Sequence, residues 1–212
     1  MSEKDSQGVV YTKENHYYIV GTNQKDNNNA ESTLGSITLP TLFKGIPVNA
    51  IGIYAFRESN TLKTIFVPSS YEIIREDAFS YTSALENVIF GDNSRLKELG
   101  IGAFFNSIIA NIIIPKSVKT FGYMCYGRTR IESLFYCGIP KSINSIIFGT
   151  NSDSNFIAFP NHMYVNERFP YDKFGDFENF TKTNSCFFRE KICSSSQRNH
   201  TLFVYFIIFL LY

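Results

Sequence analysis

The sequence predicts a mainly β fold in which about five short coils stack into a solenoid with a cap at each end. Two observations carry this prediction. A pattern of about 23 residues recurs along the chain, and the composition is rich in aromatic residues, with 21 Phe and 13 Tyr among 212 residues. Aromatic and β-branched side chains suit the pleated, half-buried surface of a strand. With 44% hydrophobic residues, the chain can bury a sizeable core.

The clearest repeated feature is an Ala-Phe dipeptide with a degenerate fourth copy. The copies are Ala55-Phe56, Ala78-Phe79, Ala103-Phe104 and Cys125-Tyr126. Apolar or aromatic residues also lie five positions before each aromatic member, at Ile51, Ile74, Leu99 and Phe121, and eight positions before it, at Val48, Tyr71, Leu96 and Val118. No single copy can bury these positions alone, so the coils must stack.

Upstream of each dipeptide lies a second pattern, L-x-x-I-x-I. Its five copies are Leu34-Ile37-Leu39, Leu62-Ile65-Val67, Leu85-Val88-Phe90, Ile109-Ile112-Ile114 and Ile131-Leu134-Tyr136. The alternation predicts a short strand whose inward side chains fill the core. Each coil then turns, lays down a second short extended piece, and closes with a short helical turn that carries Ala-Phe. The small Ala lets neighbouring coils approach, and the Phe fills the space between them.

Three stretches carry a resemblance to a known family: LKTIFVPSSYEIIREDAF at 62–79, LENVIFGDNSRLKELGIGAF at 85–104 and IIANIIIPKSVKTFGYMCY at 108–126. The opening ITLPTLFKGIPVNAIGIYAF at 37–56 is similar to a first repeat. Together they resemble the BspA-type leucine-rich repeat surface antigens of some bacteria and parasitic protists. The resemblance implies a right-handed, curved leucine-rich-repeat solenoid with a parallel sheet on one face. It also implies a surface role in adhesion or host contact.

The pattern divides the chain into five parts. We expect an N-terminal cap and loop at 1–33, with a hairpin at 9–20, and the repeats at 34–138. A C-terminal cap follows at 139–180, then a polar linker at 181–200 and an apolar tail at 201–212. Caps are expected because a solenoid exposes an open core at each end.

The outward column of the predicted sheet is the candidate binding site. Alternation places five residues on its solvent side: Thr38, Phe66, Ile89, Ile113 and Phe135. Four of the five are large and apolar, and contiguous exposed apolar patches usually bind a partner. Two alternatives remain open, because these residues could serve only strand propensity or could be covered by the C-terminal segment.

Residues that carry catalysis or bind metals and cofactors are scarce. His16, His162 and His200 are isolated, and the four cysteines show no zinc spacing. Cys125 stands in the Ala column, which predicts a buried, inert side chain, while a bridge between Cys186 and Cys193 is left open. No phosphate-binding, dinucleotide-binding or nucleophile-elbow motif is present. We therefore expect no enzyme activity, no cofactor and no metal, and the net charge of +1 argues against nucleic acid as a partner.

The two ends of the chain bear on localisation. The N-terminal sequence has no secretory signal pattern. The tail Thr201 to Tyr212 would span about 18 Å as a helix, short of a hydrocarbon core of about 30 Å. It remains open whether this tail inserts in a membrane, is processed or docks on the domain. Sequons at Asn179 and Asn199 favour a lumenal route, whereas basic residues before the tail favour a cytoplasmic flank.

These observations support two hypotheses. The first is a non-enzymatic protein at the cell surface, or associated with a membrane, that binds a protein or glycan ligand through its repeat sheet. The alternative is a cytoplasmic interaction scaffold whose tail docks on a membrane or on its own core. Weak self-association through an incomplete cap is a further expectation.

Overall fold

The fold is known from a computed structural model of the chain. It describes residues 1–26, 30, 33–143, 147–149, 159–166 and 168–183. These residues form sixteen strands and no helix. The strands are β1 (Ser2–Lys4), β2 (Val10–Glu14), β3 (Tyr17–Val20), β4 (Ser36–Thr38), β5 (Leu42–Phe43), β6 (Ile46–Ile51), β7 (Thr64–Val67), β8 (Ile73–Ile74), β9 (Asn87–Phe90), β10 (Glu98–Leu99), β11 (Asn111–Ile114), β12 (Thr120–Phe121), β13 (Ser133–Tyr136), β14 (Ser142–Ile143), β15 (His162–Asn166) and β16 (Thr181–Thr183).

One strand from each coil contributes to a stack that we call the repeat sheet. β4, β7 and β9 pair in parallel in that order, and β11, β13, β15 and β16 do the same. β9 packs beside β11, so the two groups form one stack. The predicted parallel sheet is confirmed. β15 and β16 lengthen it beyond the five predicted coils. The sequence pattern does not predict these two strands, because the step from Ser133 to its partner His162 is longer than the repeat.

A second sheet runs along the other side of the core. β6, β8, β10, β12 and β14 pair in parallel. β2 and β3 form the predicted antiparallel hairpin, and β3 pairs in parallel with β6. The hairpin therefore gives the first edge of the second sheet a hydrogen-bonding partner.

The inward positions of the repeated strand pattern are buried, except that Phe90 is half-buried and Leu34 is exposed. Ile65, Leu85 and Ile109 have no exposed surface, but Leu34 is 43% exposed. Leu34 precedes β4, which is the terminal strand of its sheet, so no earlier coil covers it.

The turns that carry the Ala-Phe dipeptides have an unusual backbone. Around Phe79, φ is 50° at Asp77 and 58° at Tyr81, so the chain enters the left-handed region two residues before and two residues after the ring. An α-helix needs negative φ at every residue. The sequence predicts short helical turns at these positions, and this prediction is wrong: within the described residues the turns are sharp and not helical. In the next coil Gly102 takes the first of these positions, where its φ of 58° causes no steric strain.

Five buried rings form an inner aromatic column, one for each coil: Phe56, Phe79, Phe104, Tyr126 and Phe148. Successive ring centroids lie 5.3, 5.2, 5.3 and 6.3 Å apart, and the first three pairs are within 9° of parallel. The backbone amide of Phe79 donates to the carbonyl of Ala103 at 2.8 Å, and the other coils repeat this bond. The column and these bonds hold each coil on the next.

An ion pair fastens the N-terminal hairpin to the repeats. The Arg75 guanidinium donates two hydrogen bonds, of 3.0 and 2.8 Å, to the Glu14 carboxylate. These bonds hold the pKa of Glu14 below its usual range. A bidentate arrangement also fixes geometry, so the hairpin is held at a defined position on the second coil.

The C-terminal part of the described chain ends the stack in a cluster of aromatic rings. Phe148, Phe169, Phe174 and Phe177 pack against one another. The Asp176 carboxylate accepts hydrogen bonds of 2.8 to 3.0 Å from three successive backbone amides, those of residues 147–149. The predicted cap region thus contributes β15 to the repeat sheet, and the predicted linker begins with β16.

Several predictions lie outside the described residues. They concern the apolar tail at 201–212, most of the linker, Cys186, Cys193, His200 and the second sequon. Among the residues that the structure does describe, no helix is long and apolar enough to cross a membrane.

Candidate functional site

The outward face of the repeat sheet carries two parallel columns of side chains. The first, which we call the outer column, consists of Thr38, Phe66, Ile89, Ile113, Phe135, Tyr164 and Thr181. Five large apolar or aromatic residues lie between a threonine at each end. Neighbouring strands in a sheet are about 4.8 Å apart, so these five side chains form a continuous row about 19 Å long.

The structure places the five predicted residues in this one column, but their exposure differs. Thr38 is exposed, and Phe66, Ile89 and Ile113 are half-buried. Phe135 is only 4% exposed, so its predicted exposure is wrong. A stacked ring covers one side of it. Tyr164 from β15 lies on it with centroids 4.6 Å apart and planes within 5°.

A second column of small polar side chains runs beside the first. It consists of Ser36, Thr64, Asn87, Asn111, Ser133 and His162. The Asn87 amide donates a hydrogen bond of 3.5 Å to the Thr64 hydroxyl of the neighbouring strand. The sequence analysis missed this polar column, although the residue at the first strand position is polar in each copy. A partner on this face would contact an apolar row with hydrogen-bonding groups along one side.

The two ends of the repeat sheet are closed differently. At the first strand, the Gln7 side chain pairs with the backbone of Thr38: it donates to the carbonyl at 3.0 Å and accepts from the amide at 3.3 Å. At the far end, β16 is the terminal strand among the described residues and pairs with β15 on one side. Gln7 occupies backbone groups that an unpaired edge strand would offer to another chain. The expected weak self-association stays a prediction.

Groups that could carry chemistry are sparse on this face. Within the described ranges, no three His, Cys, Asp or Glu side chains are close enough together to hold a metal ion. His16 and His162 are both exposed. His16 lies in the turn between β2 and β3, and His162 begins β15 in another sheet. Cys125 is free and buried, and burial raises the pKa of its thiol well above the usual range. The prediction that Cys125 is a buried side chain is confirmed.

Cys137 is the cysteine whose state could not be read from spacing. It follows β13 and is disulfide-bonded. Cys186 and Cys193, for which a bridge is left open by the sequence, lie outside the described residues.

Comparisons with known proteins point to one kind of repeat. The model of the BspA type leucine rich repeat region matches residues 49–174 in 6 copies. Among solved structures, the chain is similar to the pneumococcal vaccine antigen PcpA, with 17% identity and a TM-score of 0.52 over 79% of this chain and 50% of that one. A comparison with curated protein sequences finds no match.

Two further solved structures are similar at lower TM-scores. A leucine-rich repeat protein from Bacteroides capillosus shares 24% identity with a TM-score of 0.44, over 56% of this chain and 86% of that one. The T. pallidum leucine-rich repeat protein shares 17% identity with a TM-score of 0.47, over 67% and 73%. The stacked parallel strands, the inner aromatic column and the six matched repeats lead to one conclusion: the chain belongs to the BspA-type leucine-rich repeat family.

Proposed function

We propose that this protein is a non-enzymatic recognition module that captures a protein partner through the outer face of its repeat sheet. The observation that carries the proposal is the outer column, in which five large side chains from neighbouring strands form one row. The repeats of this family and the surface antigens that share them support an interaction role.

The chemistry of the two columns favours a protein as the partner. Aromatic residues are enriched at the centres of protein interfaces, where they supply most of the binding energy. Phe66 and Tyr164 belong to that class, and Ile89 and Ile113 lie between them. The neighbouring polar column offers hydrogen bonds along the row, as the polar rim of an interface does. Because all these residues stand on paired strands, little order has to be gained on binding.

We further propose that the repeats work at the cell surface. The disulfide at Cys137 supports this location, because disulfides persist in oxidising compartments and are rare in the cytosol. The pneumococcal antigen that shares the fold supports the same location. The alternative is an intracellular scaffold, and the protease experiment described below distinguishes it from a surface protein.

Site-specific photo-crosslinking tests the proposed face even while the partner is unidentified. A benzophenone amino acid replaces Phe66 or Ile113 in the full-length protein, which is then illuminated on the cells that produce it. The expected result is a discrete higher-mass adduct from both positions, and mass spectrometry identifies the captured protein.

Ile101 provides the matched control because it is 54% exposed and lies outside the repeat sheet. The probe at this position should give no adduct of the same mass. Adducts from Ile101 but not from the sheet positions, or no adduct from any position, would contradict the proposed face.

The location is tested by protease treatment of intact and permeabilised cells. Digestion of the repeats on intact cells is the expected result and places them outside. Protection until permeabilisation would refute the surface role and favour the scaffold.

A further inference from the structure

The charges of this chain nearly balance overall, but they are unevenly distributed. From Leu99 to Ile131 the sequence holds the cationic residues Lys116, Lys119, Arg128 and Arg130 and no Asp or Glu. This stretch of sequence, which Glu98 and Glu132 flank, therefore carries four cationic side chains and no acidic one.

Lysines also form a regular row on the second sheet, and one of them, Lys119, belongs to this stretch. Lys97, Lys119 and Lys141 occupy the same position in three successive coils, just before β10, β12 and β14. The Lys119 amide donates to the Lys97 carbonyl at 2.7 Å, and the Lys141 amide donates to the Lys119 carbonyl at 2.8 Å. We call these three residues the lysine column. Its members are exposed and recur at about the spacing of adjacent strands, 4.8 Å.

The three ammonium groups of the lysine column differ in their partners. Lys97 pairs with Glu72 at 2.7 Å. Lys119 instead donates to the backbone carbonyls of Lys116 and Ile139, at 3.1 and 2.9 Å. Within the described part of the chain, neither Lys119 nor Lys141 has a carboxylate at ion-pair distance. The Lys119 ammonium is thus held by two backbone carbonyls, and no carboxylate among the described residues pairs with it.

The residues around the column are mixed. Ile139, whose carbonyl Lys119 contacts, is 47% exposed. Glu98 follows Lys97 and pairs with Thr120 across β10 and β12. Thr120 and Ser142 follow Lys119 and Lys141 and pair directly across β12 and β14. Tyr123 lies in the turn that follows β12 and is 42% exposed. This part of the second sheet therefore presents positive charge and two hydroxyls that can donate hydrogen bonds, and an exposed aromatic ring follows in the next turn.

We propose that the lysine column binds an acidic polysaccharide, a glycan chain that bears sulfate or carboxylate groups at regular intervals. A row of equally spaced cations complements a linear polyanion. The hydroxyls and Tyr123 suit sugar rings. The site lies on the second sheet, across the core from the outer column, so it is separate from the protein-binding face proposed above.

Heparin serves as the probe. The full-length protein is tested for binding to immobilised heparin and to the same polymer after removal of its sulfate groups. Wild type should bind heparin and lose binding on desulfation. Lys119→Gln with Lys141→Gln should weaken binding about thirtyfold, at about 1 kcal/mol per lysine. The slope of log affinity against log salt should fall by about two units.

A matched variant controls for net charge. Lys13→Gln with Lys63→Gln removes the same charge from exposed positions far from the column and should leave heparin affinity within about twofold of wild type. Lys141→Gln alone, at a side chain without a carboxylate partner, should give an intermediate loss and guards against a folding defect at Lys119. Unchanged binding in the column variant, or equal loss in both double variants, would overturn the proposal.

Two further probes separate the sources of negative charge. Vesicles containing phosphatidylserine and a short DNA duplex are offered in place of heparin. Binding to either that is tighter than binding to heparin and is lost with the column variant would overturn the glycan assignment. Weaker binding to both supports it.

Discussion

The inner aromatic column and the outer column have the same spacing and opposite characters. Inside the solenoid, the five rings from Phe56 to Phe148 are fully buried and stack with nearly constant separation. On the sheet face, the outer column changes from threonine to phenylalanine, isoleucine and tyrosine, and its exposure varies from strand to strand. The inner positions have one physical task, which is to fill the space between coils. The outer positions are free of that task and can be used for recognition.

Truncation of the inner column should give the largest effect. Phe79 stacks on Phe56 and on Phe104, so Phe79→Ala opens a cavity between three coils. We expect a loss of about 3–5 kcal/mol in the free energy of unfolding, measured by urea denaturation. Phe66→Ala in the outer column should cost no more than about 1 kcal/mol. Equal losses from the two substitutions would remove the distinction between the columns.

Phe135 should behave as an intermediate case. It belongs to the outer column but is 4% exposed beneath Tyr164. Phe135→Ala should therefore lower the free energy of unfolding by about 2 kcal/mol, between the values for the inner and outer positions. In the same assay, the double variant with Tyr164→Ala should lose less than the sum of the two single losses, because the two rings contact each other. Strict additivity of the two losses would show that the stack contributes nothing.

A smaller effect of opposite sign is expected at Tyr126. Its hydroxyl is buried and has no hydrogen-bond partner among the described residues, and burial raises its pKa well above the usual range. Tyr126→Phe keeps the ring in the column and removes the unpaired group. The free energy of unfolding should rise by about 1 kcal/mol. A decrease would mean that the hydroxyl has a role that the column does not explain.

The inner column is also the part of the molecule that the sequence predicts best. Each ring recurs at almost the same spacing after a small residue, so the repeat period predicts both the position of the ring and its burial. Cys125 illustrates this, because its place in the Ala column predicts its burial. Phe148 was missed although it lies 22 residues after Tyr126, because Ile147 stands where a small residue is expected.

The sheet face was predicted only in part, for physical reasons. Alternation identifies which residues point outward, and it placed Phe66, Ile89 and Ile113 in one column. It cannot identify what covers them, because coverage depends on strands distant in sequence. Phe135 is buried by Tyr164, which arrives after an irregular connection. The disulfide state of Cys137 likewise follows from no motif in the sequence.

The most direct test of the central claim measures stability and capture on the same variant. Phe66→Ser with Ile113→Ser is combined with a photo-crosslinking residue at Ile89, between the two changes. The account predicts a free energy of unfolding within about 1 kcal/mol of wild type and a loss of at least about tenfold in partner adduct. Leu42→Ser with Ile101→Ser, at exposed positions off the sheet face, should keep the full adduct. Undiminished capture by the sheet variant, at unchanged stability, would contradict the claim that the outer column binds the partner.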